Sequence, residues 1–164
     1  MNFNFADLVG KTLLEARVTD DQSSMYFTTT EGQVLEMTHY QDCCESVYVD
    51  EIVGDLNDLI GATLLRAEES TNSDQAKSEY AESFTWTFYK LATKKGYVDI
   101  KWYGTSNGYY SESVSTSVVN TLSPEELNKL KESILDPKEQ FAQQSKEEFA
   151  NLENSKKTTT RFKF

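Results

Sequence analysis

The sequence predicts an α+β protein: a duplicated antiparallel β-unit followed by one or two C-terminal helices. Three observations carry this. An eleven-residue segment recurs 51 residues further on: Ala6–Ala16 lies over Asn57–Ala67 with seven identities, including Asp7/Asp58, Gly10/Gly61 and Leu13/Leu64. Each copy is followed by runs rich in Thr, Tyr, Phe and Val that alternate apolar with polar, the pattern of half-buried strands. After Ser123 the apolar period changes to that of a helix.

Taken in order, the repeated segment reads as a short helical turn with an acidic cap, stopped by Gly10 or Gly61 and followed by a strand. In the first copy, Ser24–Thr30 and Gln33–Tyr40 form a hairpin through Glu31-Gly32. In the second, Phe84–Leu91 and Tyr97–Tyr103 do so through Lys94-Lys95-Gly96. Each copy closes on a Glu-Ser-Val strand, at Glu45-Ser46-Val47 and Glu112-Ser113-Val114. The polar stretch Glu68–Glu82 is expected to be a loop. The units run from about 6 to 50 and 57 to 120, within a β-rich domain of residues 1–122.

Ser123-Pro124-Glu125-Glu126 reads as a capping box with proline at the first helical position. Leu127, Leu130, Ile134 and Leu135 follow at helical spacing, and Pro137 stops or kinks the helix. A second helix is expected over Lys138–Leu152, so that residues 123–153 form a helical extension. Residues 154–164 form a basic, flexible tail.

The formal net charge is −11, and it is unevenly spread. From Val18 to Leu65 there are ten Asp or Glu and no Lys or Arg. Such a surface repels phosphate backbones and suits a basic partner. No apolar run is long enough to span a bilayer, and the N-terminus lacks the basic and apolar regions of a signal peptide. A soluble cytoplasmic protein is the expectation. Its two cysteines are then expected to remain thiols.

The densest chemistry is His39-Tyr40-Gln41-Asp42-Cys43-Cys44-Glu45, which holds the only histidine and both cysteines. Its echo is Asn107-Gly108-Tyr109-Tyr110-Ser111-Glu112. His39, Asp42, Cys43, Cys44, Glu45, Asn107, Tyr109 and Glu112 are therefore the candidate ligand-binding residues. Adjacent cysteines lack the C-x2-C spacing of zinc sites, and on a strand they point to opposite faces. No element for oxyanion stabilisation accompanies His39 and Cys43. No catalytic residue, metal or cofactor is assigned. Glu45 and Glu112 occupy equivalent places, which favours a shared structural task, capping backbone amides in two matching turns, over an acid–base pair.

Gln41-Asp42-Cys43-Cys44-Glu45, Trp86-Thr87-Phe88-Tyr89 and Ser106-Asn107-Gly108-Tyr109-Tyr110-Ser111-Glu112 together resemble an uncharacterised family of small phage- and prophage-associated bacterial proteins. That resemblance spans roughly His39 to Val114 and implies a source more than a mechanism. The expectation is a non-enzymatic phage or prophage accessory protein. It would bind a basic host protein through an acidic surface that includes Asp50, Glu51, Asp55 and Asp58, without direct nucleic-acid or membrane binding. The alternative is a small-molecule or metal site where the two echo motifs meet.

Overall fold

The protein is described from a computed structural model, which covers residues 2–134. The expected second helix, the basic tail, Leu135 and Pro137 lie outside the described residues. The chain divides into two units, residues 1–127 and residues 128–164.

Unit one is antiparallel β-structure in two four-stranded sheets. Strands β1 (Leu13–Val18), β2 (Ser24–Thr29) and β3 (Gln33–Thr38) form a meander. So do β5 (Arg66–Asn72), β6 (Ser83–Thr93) and β7 (Gly96–Ser106). The fourth strand of each sheet comes from the other stretch of chain. Strand β4 (Ser46–Val53) follows β3 in sequence but pairs with β7, and β8 (Ser115–Thr121) follows β7 but pairs with β3. The sheet orders are thus β1-β2-β3-β8 and β4-β7-β6-β5.

The period-2 pattern explains the burial. Phe27 from β2 and Leu35 and Met37 from β3 face inward, as do Tyr89, Leu91, Val98, Ile100 and Trp102 from β6 and β7. These residues belong to one hydrophobic core. It is completed by Leu8 and Leu59, each from a one-turn 3-10 helix, Phe5–Leu8 and Leu56–Leu59.

These short helices are the expected helical turns, but their caps are Asn4 and Asp55. Each side chain accepts the amide two residues on, Ala6 N at 3.1 Å and Asn57 N at 2.9 Å. Asp7 and Asp58 lie inside the turns, where negative charge suits the N-terminal dipole. Gly10 and Gly61 follow at φ +88° and +75°. Gly10 N donates to Leu64 O (2.8 Å), Gly61 N donates to Leu13 O (2.9 Å), and Thr12 bridges Thr63.

The stretch Glu68–Glu82 is only partly loop. Residues through Asn72 pair with β6 from Arg66↔Ala92 to Asn72↔Trp86. Its polar composition misled because β5 is an edge strand that buries only Ala67, while hydrogen bonding to an aromatic-rich neighbour fixes its conformation. The true connection is residues 73–82.

Helix α1 (Pro124–Ser133) begins with the expected reciprocal cap: Ser123 N donates to Glu126 Oε2 (2.9 Å) and Glu126 N to Ser123 Oγ (3.3 Å). No helix among the described residues is long and apolar enough to cross a membrane.

Candidate functional site

The His39–Glu45 stretch is the β3–β4 connection, and Glu45 organises it. Its carboxylate accepts Asp42 N at 2.5 Å and Cys43 N at 3.0 Å, and it faces His39 Nε2 at 2.9 Å. The Gln41 amide donates to the carbonyls of Cys43 (3.2 Å) and Glu45 (2.8 Å), closing the turn from the other side. The Asp42 amide and the His39 ring hold the Glu45 carboxyl down at about 2, with burial opposing them. Although Glu45 lies in a tight turn, its side chain is only 1% exposed.

His39 Nδ1 lies 2.7 Å from the Ser113 carbonyl. Both ring nitrogens therefore face acceptors, and both contacts are satisfied when the ring carries two hydrogens. The histidine stitches the first echo motif to the second.

Cys43 and Cys44 are joined by a disulfide between adjacent residues. This corrects the expectation of two thiols. The physical reason lies in the turn: residues 43 and 44 form a bend, not a strand, so their side chains escape the alternation that would separate them. Both are exposed, as is Asp42.

In the second motif Glu112 is buried, but it accepts hydroxyls, not backbone amides: Ser106 Oγ at 2.6 Å and Thr85 Oγ1 at 2.7 Å. Burial raises the Glu112 carboxyl, yet bonds from the Ser106, Ser83 and Thr85 hydroxyls outweigh it and leave it below the usual range. The motif can sit this close because β7 offers Gly104. A Cβ there would meet Glu112 O at 2.8 Å and Glu112 Cβ at 2.9 Å.

The candidate ligand-binding residues do not share one place. Cys44 and Asn107, one from each motif, line a cavity of about 540 Å³ with Tyr48, Lys77 and Tyr103. Glu112 lines another, of about 340 Å³, with Glu69, Thr85 and Tyr110. Tyr109 is exposed, its ring edge-on to Tyr110 at 5.1 Å. Glu45 is consumed by its own turn. Among the described residues no group of three or more His, Cys, Asp or Glu is placed to hold a metal ion.

The four acidic residues proposed for partner contact fall on β4 and the turn after it. Asp50 pairs with Lys77, and Glu51 pairs with Lys101 at 2.7 Å. Asp55 is the cap described above. Asp58 lies in the second 3-10 turn, where Thr93 Oγ1 donates to its carbonyl at 2.5 Å. Strand β4 is an edge strand, and its Val49 N donates to Gln22 O (2.8 Å) in the β1–β2 turn. That bond sets the turn that carries Asp20 and Asp21 against the strand that carries Asp50 and Glu51. Asp21 is held at about 2 by the Ser23 and Thr19 hydroxyls and the Ser23 amide.

Sequence reasoning missed the outer face of the second sheet. Phe84, Trp86 and Phe88 alternate with the core residues of β6, so all three face outward beside Tyr103 and Tyr48. Trp86 packs on Tyr103 at 4.4 Å and lies nearly parallel to Phe88 (17°, centroids 6.3 Å). The connection 73–82 straps across these rings. Trp86 Nε1 donates to Gln75 O (2.7 Å), Lys77 N donates to the Tyr103 hydroxyl (3.1 Å), and the Lys77 ammonium lies 5.6 Å from the Tyr48 and Tyr103 ring centres. A third cavity, of about 560 Å³, opens beside the strap. It is lined by Asn72, Asp74, Gln75, Trp86, Phe88 and Lys101 among others. The signal was present in the aromatic residues at every second position of Phe84–Phe88, on the face opposite Tyr89 and Leu91.

Neither the curated proteins nor the solved structures include a significant match to this chain. One family does match, over residues 6–116, which takes in both sheets up to the start of β8 and both echo motifs. The chain belongs to the family defined by the domain of unknown function DUF7448.

Proposed function

We infer that this is a non-enzymatic binding protein of phage or prophage origin whose acidic edge engages a basic host protein. The observation that carries this reading is the hydrogen bond from Val49 N to Gln22 O. It sets the turn bearing Asp20 and Asp21 against the strand bearing Asp50 and Glu51. Two of those four acids are balanced by Lys77 and Lys101, so the edge keeps an excess of negative charge. Such charge steers a basic partner and loses its reach as salt rises, because the Debye length falls from about 10 Å at 0.1 M to about 3 Å at 1 M.

The chain's construction fits an internal duplication. The Gly10–Leu64 and Gly61–Leu13 bonds join equivalent positions of the two repeats, and each three-stranded meander receives its fourth strand from the other half. A duplicated scaffold with carboxylate-locked turns presents surfaces and leaves Glu45 no freedom for proton transfer.

The test is capture of partners from host extract by the wild-type chain and by a variant carrying Asp20→Asn, Asp21→Asn, Asp50→Asn and Glu51→Gln. The reading predicts a specific basic protein retained by the wild type at low salt and lost both with the variant and in high salt. Equal capture by both chains sinks it. The second reading, a small-molecule site between the echo motifs, is favoured by one observation: Cys44 and Asn107 line the same cavity. Native mass spectrometry of protein from its host would show that ligand as added mass.

A further inference from the structure

We propose that the strapped aromatic face of the second sheet is a binding site for a neutral oligosaccharide, with Trp86 and Phe88 as its stacking platform. This goes beyond the acidic-edge reading and uses a different cavity wall. Trp86 and Phe88 stand two residues apart on β6, so their rings share one face of the sheet at 6.3 Å and within 17° of parallel. Both rings line the 560 Å³ cavity, so their apolar surfaces border the space a sugar chain would fill. The C–H bonds on one side of a pyranose carry partial positive charge, which the negative π-face attracts.

The platform is held before any ligand arrives. The Trp86 indole N–H donates to Gln75 O, and Tyr103, its cross-strand neighbour, packs against the ring at 4.4 Å. A ring so fixed loses little freedom when a ligand stacks on it.

The rest of the lining suits hydroxyl groups. Asn72, Asp74 and Gln75, which carry amide and carboxylate groups, line the 560 Å³ cavity together with Lys101. Planar amides and carboxylates can address neighbouring hydroxyls as donor and acceptor together.

Charge selects the ligand class. Aromatic stacking also serves single-stranded nucleic acid, which needs an uncompensated positive groove along its backbone. Here Lys77 is paired with Asp50 and Lys101 with Glu51, Asp74 lines the cavity, and the whole chain carries −11. A polyanion is disfavoured, and a neutral sugar chain meets no such penalty.

The experiment is a tryptophan fluorescence titration of the full chain with hexamers of glucose (β-1,4 and α-1,4 linked) and of N-acetylglucosamine, each up to about 10 mM. Trp102 is fully buried, so a stacked sugar is reported by Trp86. The expected result is a saturable blue shift with at least one of these sugars. It is absent in Trp86→Ala, and binding is weakened about threefold to tenfold in Phe88→Ala. Asn72→Ala tests the polar lining through a side chain that is exposed and bonds to Asp74, its backbone pairing with Trp86 being kept. It should weaken binding while leaving the melting temperature unchanged. No spectral response to any of the three sugars overturns the proposal. So does a response to oligo-thymidylate that exceeds the response to every sugar.

Discussion

Glu45 accepts two backbone amides and faces one imidazole from within a seven-residue connection, so the turn depends on its negative charge. Its carboxyl is held at about 2 against an ordinary 4.5. A group depressed in the folded state contributes stability above its unfolded value and loses it as pH falls toward the folded one. The Glu45→Gln variant should therefore melt below the wild type at neutral pH, and the gap should close between about pH 4.5 and pH 2. Thermal melts across that range check this, and a gap independent of pH would contradict it. At Gly104 the constraint is steric. An added Cβ meets Glu112 O and Glu112 Cβ at 2.8 and 2.9 Å, and part of that contact is backbone that cannot swing aside. Gly104→Ala should cost about 1–3 kcal/mol in urea unfolding, as overpacking does. The same change at Gly108, where nothing lies within 4 Å, meets only the strain of a φ of +90°.

At the scale of elements, the core depends on β2 and β3 of one sheet meeting β6 and β7 of the other. Phe27, fully buried in β2, belongs to that cluster with Tyr89 and Trp102. Phe27→Ala should cost about 3–5 kcal/mol by chemical denaturation, with both sheets lost in one transition. The strands themselves were legible in the sequence because each has one dry face, which imposes the period-2 pattern. Both hairpins fall where their alternation and their turn glycines place them. What local pattern could not carry was partnership. Nothing in Ser46–Val53 says that it joins β7 in place of the adjacent β3, because pairing is decided by tertiary packing. Strand β5 was hidden for a related reason, since a polar edge strand is defined by its neighbour's hydrogen bonds. In the candidate site, the proximity of His39 to Glu45 could be read from six residues of separation, but the Ser113 carbonyl that completes the contact lies 74 residues away. The outward rings of β6 were readable by alternation, once the second face of a strand is asked for its own composition.

At the scale of the molecule, the two meanders exchange their fourth strands, so each sheet is finished by the other half. A chain cut between β4 and the second 3-10 turn should give two fragments that do not fold cooperatively alone and that recover native circular dichroism when mixed. Independent folding of either fragment would deny that the exchange holds the fold together. The same architecture fixes the acidic edge, because β4 belongs to one sheet while the turn against it belongs to the other. The measurement that tests the acidic-edge reading most directly is hydrogen–deuterium exchange on the chain with its captured partner. The account predicts slowed exchange at Thr19–Ser23 and Ser46–Val53 and little change along β5. Protection confined to other strands, with those two segments exchanging as in the free chain, would contradict it.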